Sequence, residues 1–220
     1  YLSNRAIMDD VDELKARKKP AQKRSRTMVN RLLEATSSLL ISEGYRRVST
    51  NRIAKEAGVS VGSLYQYFPN KDALVLTLFE RMCDRHMEVI ATRLNDYVVR
   101  EDAPPLEDVV RSLVLAIIEA SQAEPELNQV LLREVRHLEE FHMLRAWLDR
   151  VCDLLESSLE THRDRIRPRN TKLAAYLIVN AVNGVILNAE LDHVDVLTDP
   201  EFALELSELE LWSSGSWNSL

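Results

Sequence analysis

The chain has 220 residues, 45% of them hydrophobic, with five Gly, seven Pro and two Cys. That is enough for one large or two small helical domains with real cores, and leaves little room for hairpins or disorder. The net charge of −7 is divided unevenly: from Lys15 to Lys71 thirteen basic residues face three acidic ones, net +10, which leaves −17 for the rest. A polyanion would attract one end of such a molecule and repel the other.

Residues 1–25 read as a basic arm. Asp9, Asp10, Asp12 and Glu13 precede a run from Lys15 to Arg24 that could lie along phosphates or remain a solvated tail. The stretch from Tyr1 to Asp12 has neither the charge layout nor the apolar core of a signal peptide, and the absence of an initiator Met suggests either a start elsewhere or first residues that are not native. A first helix is expected from Thr27 to Glu43, because Val29, Leu32, Leu33, Thr36 and Leu40 share one face. Gly44 ends it, with Tyr45 and Val48 beneath the following loop.

Residues 50–71 organise the rest. Ile53, Ala54 and Ala57 form a narrow apolar stripe on a short helix capped by Ser49 or Thr50, and Gly58 is the pivot of a turn. Ser60 can cap a second short helix that turns Leu64 and Phe68 inward, and Pro69 forbids its continuation. Val61, Gly62, Ser63, Tyr65, Gln66 and Tyr67 are left on the outside without one carboxylate. This is a helix-turn-helix whose second helix is short enough for a DNA major groove. Lys71 opposes the macrodipole of the helix it opens; an anion outside that helix end would explain it, and a solvated lysine is the plainer reading.

Asn70 caps a long helix to about Tyr97, with Leu74, Leu78, Met82 and Arg85 or His86 along one side. Pro104 and Pro105 break the chain. Helices are then expected over 106–122, 125–138, 141–165, 170–191 and 199–212, nine in all, with no strand pattern and no internal repeat. The fold class is all-α: a basic arm (1–25), a helix-turn-helix domain (26–71), a larger helical domain (72–212) and a tail (213–220). The stretch from Leu173 to Leu187, broken by Asn180, Asn183 and Gly184, reads as too short and too polar to span a bilayer. The two cysteines, without metal-like spacing, fit a reduced cytoplasmic compartment and inert buried thiols, a redox pair being the alternative.

Leu32-Leu33-Glu-Ala, Gly44-Tyr45, Ser49-Thr50, Ile53-Ala54, Ala57-Gly58-Val59-Ser60, Gly62, Leu64-Tyr65, Tyr67-Phe68, Lys71 and Leu74 stand at fixed spacing. Through them the region from about Arg26 to Leu78 resembles the DNA-binding domain of the TetR family of bacterial transcriptional regulators. The resemblance implies a three-helix DNA-binding domain on a helical ligand-binding and dimerisation domain, and a function as a regulator, most simply a repressor released from a palindromic operator by a small molecule. It places Asn51, Val61, Gly62 and Ser63 at base edges, and Thr50, Tyr65, Tyr67 and Lys71 at phosphates, with Ser60 at the head of the reading helix. For Tyr65 and Tyr67 packing within the small domain is the alternative. It implies a homodimer through the helices at about 170–191 and 200–212; small residues at Ala174, Ala175, Ala181, Gly184 and Ala189 would let helices approach closely.

Arg136, Phe141, His142, Met143 and Trp147, near His137, occupy the region where the family often lines its effector pocket, and such a wall suits an apolar or amphipathic molecule. Glu134, His137 and His142 make a poor metal set, because residues five apart on one helix point about 140° from each other. No nucleophile elbow, phosphate loop or carboxylate pair supports catalysis, and no cofactor is expected. The rival reading is a helical ligand-sequestering or partner-binding dimer without specific DNA binding.

Overall fold

The structure, a computed structural model, describes residues 23–99, 106–137, 141–161, 163, 170–192, 196–199, 201, 202 and 204–206. These residues form helices joined by short turns and loops, without a strand. Eight α-helices follow one another: α1 Lys23–Glu43, α2 Thr50–Glu56, α3 Val61–Tyr65, α4 Lys71–Val99, α5 Leu106–Gln122, α6 Pro125–His137, α7 Phe141–Thr161 and α8 Thr171–Asp192. Short 3-10 turns occupy Tyr45–Arg47 and Val196–Thr198.

Contacts divide the chain into two units. The first holds the described residues up to Met82 together with 126–137; the second holds Cys83 to Pro125 and the described residues from Phe141 onward. α4 thus starts in the first unit and ends in the second, and α6 belongs with the N-terminal helices, not with the remaining body helices.

The first helix begins at Lys23, four residues before the expected start, so Lys23, Arg24 and Ser25 are helix and not arm. The apolar stripe begins only at Val29, which is why periodicity alone placed the start late. The stripe itself is buried: Val29, Leu32, Leu33, Thr36 and Leu40, with the Thr36 hydroxyl donating to the Leu32 carbonyl at 2.7 Å. Leu32, Leu33, Leu40, Ile53, Leu64 and Phe68 are fully buried in the first unit, as are Leu74, Val75 and Phe79 at the start of α4. The acidic and basic tracts before residue 23 lie outside the described residues, as does the tail.

In the second unit one cluster joins Met87, Ile90 and Leu94 of α4 to Leu113 of α5, Val151, Leu155 and Leu159 of α7, and Ala175 and Val179 of α8. Another joins Val110, Val114 and Ile118 of α5 to Val182, Ile186 and Ala189 of α8, with Leu197 and Leu206. α8 reaches 22 residues with a mean hydropathy of 1.4 over its most apolar window, so by length and composition it could cross a bilayer, against the sequence reading. Its Asn residues do not lower the mean enough. The buried stripe that supplies both clusters is what a core helix shows. Of the expected last helix, residues 201, 202 and 204–206 are described, and Leu206 is buried.

Cys83 is buried and Cys152 half-buried, and neither is in a disulfide. Burial pushes the Cys152 thiol up, helped by Asp149, Asp153 and Glu156, which leaves it a poor nucleophile. Among the described residues no group of three or more His, Cys, Asp or Glu could hold a metal.

Candidate nucleic-acid interface

α2 and α3 are set by their caps. The Ser49 side chain accepts from the Arg52 N–H at 3.4 Å and opens α2. Gly58 turns the chain with φ 63°, a left-handed conformation that costs a side-chain-bearing residue about 1–2 kcal/mol. Arg31 of α1 fixes this turn from outside, its Nη2 donating to the Ala57 carbonyl at 2.6 Å and to that of Gly58 at 3.4 Å. The Ser60 hydroxyl accepts from the Ser63 N–H at 3.0 Å and shares a 2.7 Å hydrogen bond with the Ser63 hydroxyl, so α3 starts on a closed cap.

What remains outside is the expected strip. Asn51 and Gly62 are exposed, Val61 and Ser63 half-buried, and Leu64 fully buried behind them. Tyr65 is 43% exposed and shares a 3.0 Å hydrogen bond with Thr50, which ties the end of α3 to the start of α2 at the surface. Tyr67 is half-buried; its hydroxyl accepts from Ser25 of α1 at 3.1 Å, so it packs within the small domain more than Tyr65 does. Phe68 lies beyond α3 and is fully buried. Arg46, Arg47 and Lys55 are exposed, whereas Arg52 pairs bidentately with Glu43.

Lys71 has an internal explanation that sequence reasoning missed. Its Nζ donates to the Tyr45 backbone carbonyl at 2.8 Å and lies 3.6 Å from the centroid of the Tyr45 ring. The Tyr45 hydroxyl donates to the Asp72 carboxylate, and burial first, then Asp72, then Glu134 raise that phenol above its ordinary range. The first-turn cation is therefore satisfied by a carbonyl and a π-face, with Asp72 beside it complementing the helix dipole. Asn70 caps α4, accepting from the Ala73 N–H at 2.8 Å. The residue pair Tyr45–Lys71 is 26 positions apart, so no local periodicity announces it.

Of the expected effector residues, Arg136 lies on α6, and Phe141, His142, Met143 and Trp147 on α7. Met143 and Trp147 are half-buried; the side chains of Arg136, Phe141 and His142 lie outside the described residues. His137 ends α6 and His142 stands in the first turn of α7, so the argument from one shared helix does not apply to them. The Trp147 indole N–H donates to the Cys83 carbonyl of α4 at 3.0 Å. His86, on the same stripe as Leu74, Leu78 and Met82, is buried beside it.

A short capped helix presented outward on a basic three-helix unit is the geometry of a helix-turn-helix regulator of transcription. Residues 32–78 match the description "bacterial regulatory proteins, tetR family", and residues 105–209 match "tetracyclin repressor-like, C-terminal domain". The chain is 30% identical over 197 residues to the HTH-type transcriptional repressor KstR of Rhodococcus jostii, covering 89% of this chain and 86% of that protein. It is 34% identical over 101 residues to the nucleoid occlusion factor SlmA of Haemophilus ducreyi, where it spans only 47% of that protein's length. The solved fatty acid degradation regulator FadR of Bacillus halodurans shares the fold, with a TM-score of 0.61 at 22% identity over 91% of this chain and 99% of that one. The chain belongs to the TetR family, and is a DNA-binding transcriptional regulator.

Proposed function

We propose that the protein is a homodimeric repressor that holds a palindromic operator and leaves it when a small molecule binds the helical body. The observation that carries the reading is the carboxylate-free strip of Asn51, Val61, Gly62, Ser63 and Tyr65, held by the Ser60 cap and the Thr50–Tyr65 hydrogen bond. In this reading Asn51 pairs with adenine and Val61 meets a thymine methyl. Ser63 reads a base edge, Gly62 admits the backbone, and Thr50, Tyr65 and Tyr67 hold phosphates. Lys71 would have to leave Tyr45 to join them. The Rhodococcus relative, itself named a repressor, favours repression over activation.

Support for a two-fold partner comes from the outer face of α8. Leu173, Tyr176, Leu177 and Val185 are exposed there, beside a groove of about 520 Å³ lined by Ala181, Gly184, Asn188 and Phe202 among others. A β-carbon on Gly184 would meet nothing within 4 Å, which leaves room for a second helix. A copy of the same face is the self-complementary occupant that a palindrome requires. The effector would be an apolar or amphipathic molecule in the body, touching the region of Met143 and Trp147. It acts by preferring a dimer in which the two reading helices no longer match successive grooves.

Selection of bound genomic fragments at physiological salt tests the reading, repeated with Tyr65→Ala and across a salt series. A two-fold motif that is lost in the variant and weakens steeply with salt supports it. No enrichment at any salt would favour the ligand-sequestering dimer instead. Sedimentation of Leu177→Arg tests the interface: a monomer is expected, and an intact dimer would remove α8 from it.

A further inference from the structure

His86 lies at i+4 from Met82 on the buried stripe of α4, 7% exposed, with its ring set edge-on to Trp147 at 6.4 Å between centroids and 62° between planes. One ring nitrogen donates to the Ala120 carbonyl of α5. The other, Nε2, is buried and has no hydrogen-bond partner among the described residues. Burial, and then the neighbouring Arg85, lower its pKa to about 4, so at neutral pH the ring is uncharged. With the proton on the nitrogen facing Ala120, Nε2 is a lone-pair acceptor waiting for a donor. An unmet buried acceptor costs about 1–3 kcal/mol, which a donor supplied from outside the chain would recover.

The surroundings define that donor. Trp147 is pinned in place by its own N–H, spent on the Cys83 carbonyl, so it offers the newcomer an apolar ring and no hydrogen bond. Arg85 is engaged with Glu124 at 2.6 Å and supplies no spare cation. An ionised carboxylate brings only lone pairs and would force a proton onto a histidine whose burial opposes it. Ethers, esters and hydrocarbons would leave Nε2 unmet. We propose that the helical body binds a neutral, largely apolar molecule carrying a hydroxyl or N–H group, which donates to His86 Nε2 while its apolar part lies against Trp147. The inference deepens the effector reading above and rests on it for regulation, though not for binding.

The test uses the full chain with Trp212→Phe and Trp217→Phe, which leaves Trp147 as its one indole. Cyclohexanol, cyclohexyl methyl ether and cyclohexanecarboxylate are titrated at neutral pH. Imidazole nitrogen resonances are followed by long-range proton–nitrogen spectra, and Trp147 by emission. Cyclohexanol is expected to shift His86 Nε2 upfield and to bind about fivefold tighter than the ether, the worth of one neutral hydrogen bond. The carboxylate should bind more weakly than either. His86→Phe should erase the preference for the alcohol, and His86→Gln, whose amide oxygen can accept, should keep part of it. An Nε2 resonance that cyclohexanol does not move, or an alcohol preference that survives in His86→Phe, overturns the site. A probe that binds through His86 without weakening the DNA complex supports the site and refutes effector release.

Discussion

Replacing Gly58 by Ala tests how the turn before α3 is held. Two costs add at this position. The left-handed φ of 63° disfavours any β-carbon by about 1–2 kcal/mol. That β-carbon would also stand 2.9 Å from Arg31 Nη2, the atom that donates to Ala57 at 2.6 Å. Arg31 is an exposed residue for whose guanidinium water competes, so the bond it would lose is worth about 1 kcal/mol, the value of an ordinary hydrogen bond. The sum is about 2–3 kcal/mol, roughly a 1 M fall in the urea midpoint of the first unit. That unit is best followed by hydrogen exchange at α2 and α3 amides, so that the second unit's own transition does not intrude. In an Arg31→Met background the second cost is already spent, and Gly58→Ala should lose only the backbone part. Gly58→Asn should recover some of the backbone cost and none of the crowding, because asparagine tolerates the left-handed region but still has a β-carbon. Equal penalties for Gly58→Ala with and without Arg31 would refute the claim that Arg31 holds the turn.

Three further outcomes follow from the geometry. His86 has a folded pKa of about 4 against an ordinary 6.5, so the unfolded chain takes its proton first as pH falls. Stability is then intact above about pH 6.5 and declines by about 3 kcal/mol on the way to pH 4, and denaturation of His86→Gln across that range should lack this slope. Phe68→Ala empties a fully buried site and should cost about 3–5 kcal/mol in the first unit, whereas Glu43→Gln, which breaks only a surface pair with Arg52, should cost less than about 1 kcal/mol by the same melt. In DNA titrations Arg46→Ala should weaken all sequences alike and flatten the salt slope by about one, while Asn51→Ala should cost about 1–3 kcal/mol at a single base position.

The helices were legible in the sequence where a buried face ran without interruption. Leu106–Gln122 has its expected limits, and the stripe from Val29 to Leu40 is buried as its spacing requires. Ends were less legible where polar residues continue a helix beyond its apolar stripe, as at Lys23–Arg26. The exposed strip of α2 and α3 was legible because caps and pivot are short-range chemistry: Ser49, Gly58, Ser60 and Asn70 each act within three residues. Contacts between distant residues were not. Lys71 on Tyr45, Arg31 on Gly58 and Trp147 on Cys83 join positions 26 to 64 apart, and no pattern in either partner's neighbourhood marks them.

α8 shows why composition alone misjudges such helices. It is apolar nearly all round, and a membrane would accept its length. Ala175, Val179, Val182, Ile186 and Ala189 are nevertheless consumed by the two clusters of the second unit, at the three-and-four spacing of one helix face. The opposite face, with Leu173, Leu177, Ala181 and Val185 around the half-buried Gly184, repeats that spacing and is exposed among the described residues. One helix therefore carries two apolar stripes, and only one is needed to fold a single copy. A second stripe kept in water would cost solubility without benefit unless something covers it. Its mixture of large residues at the ends and Gly184 and Ala181 between them is what a helix crossing its own copy at close range requires, which ties the composition of α8 to the two-fold arrangement proposed for DNA binding.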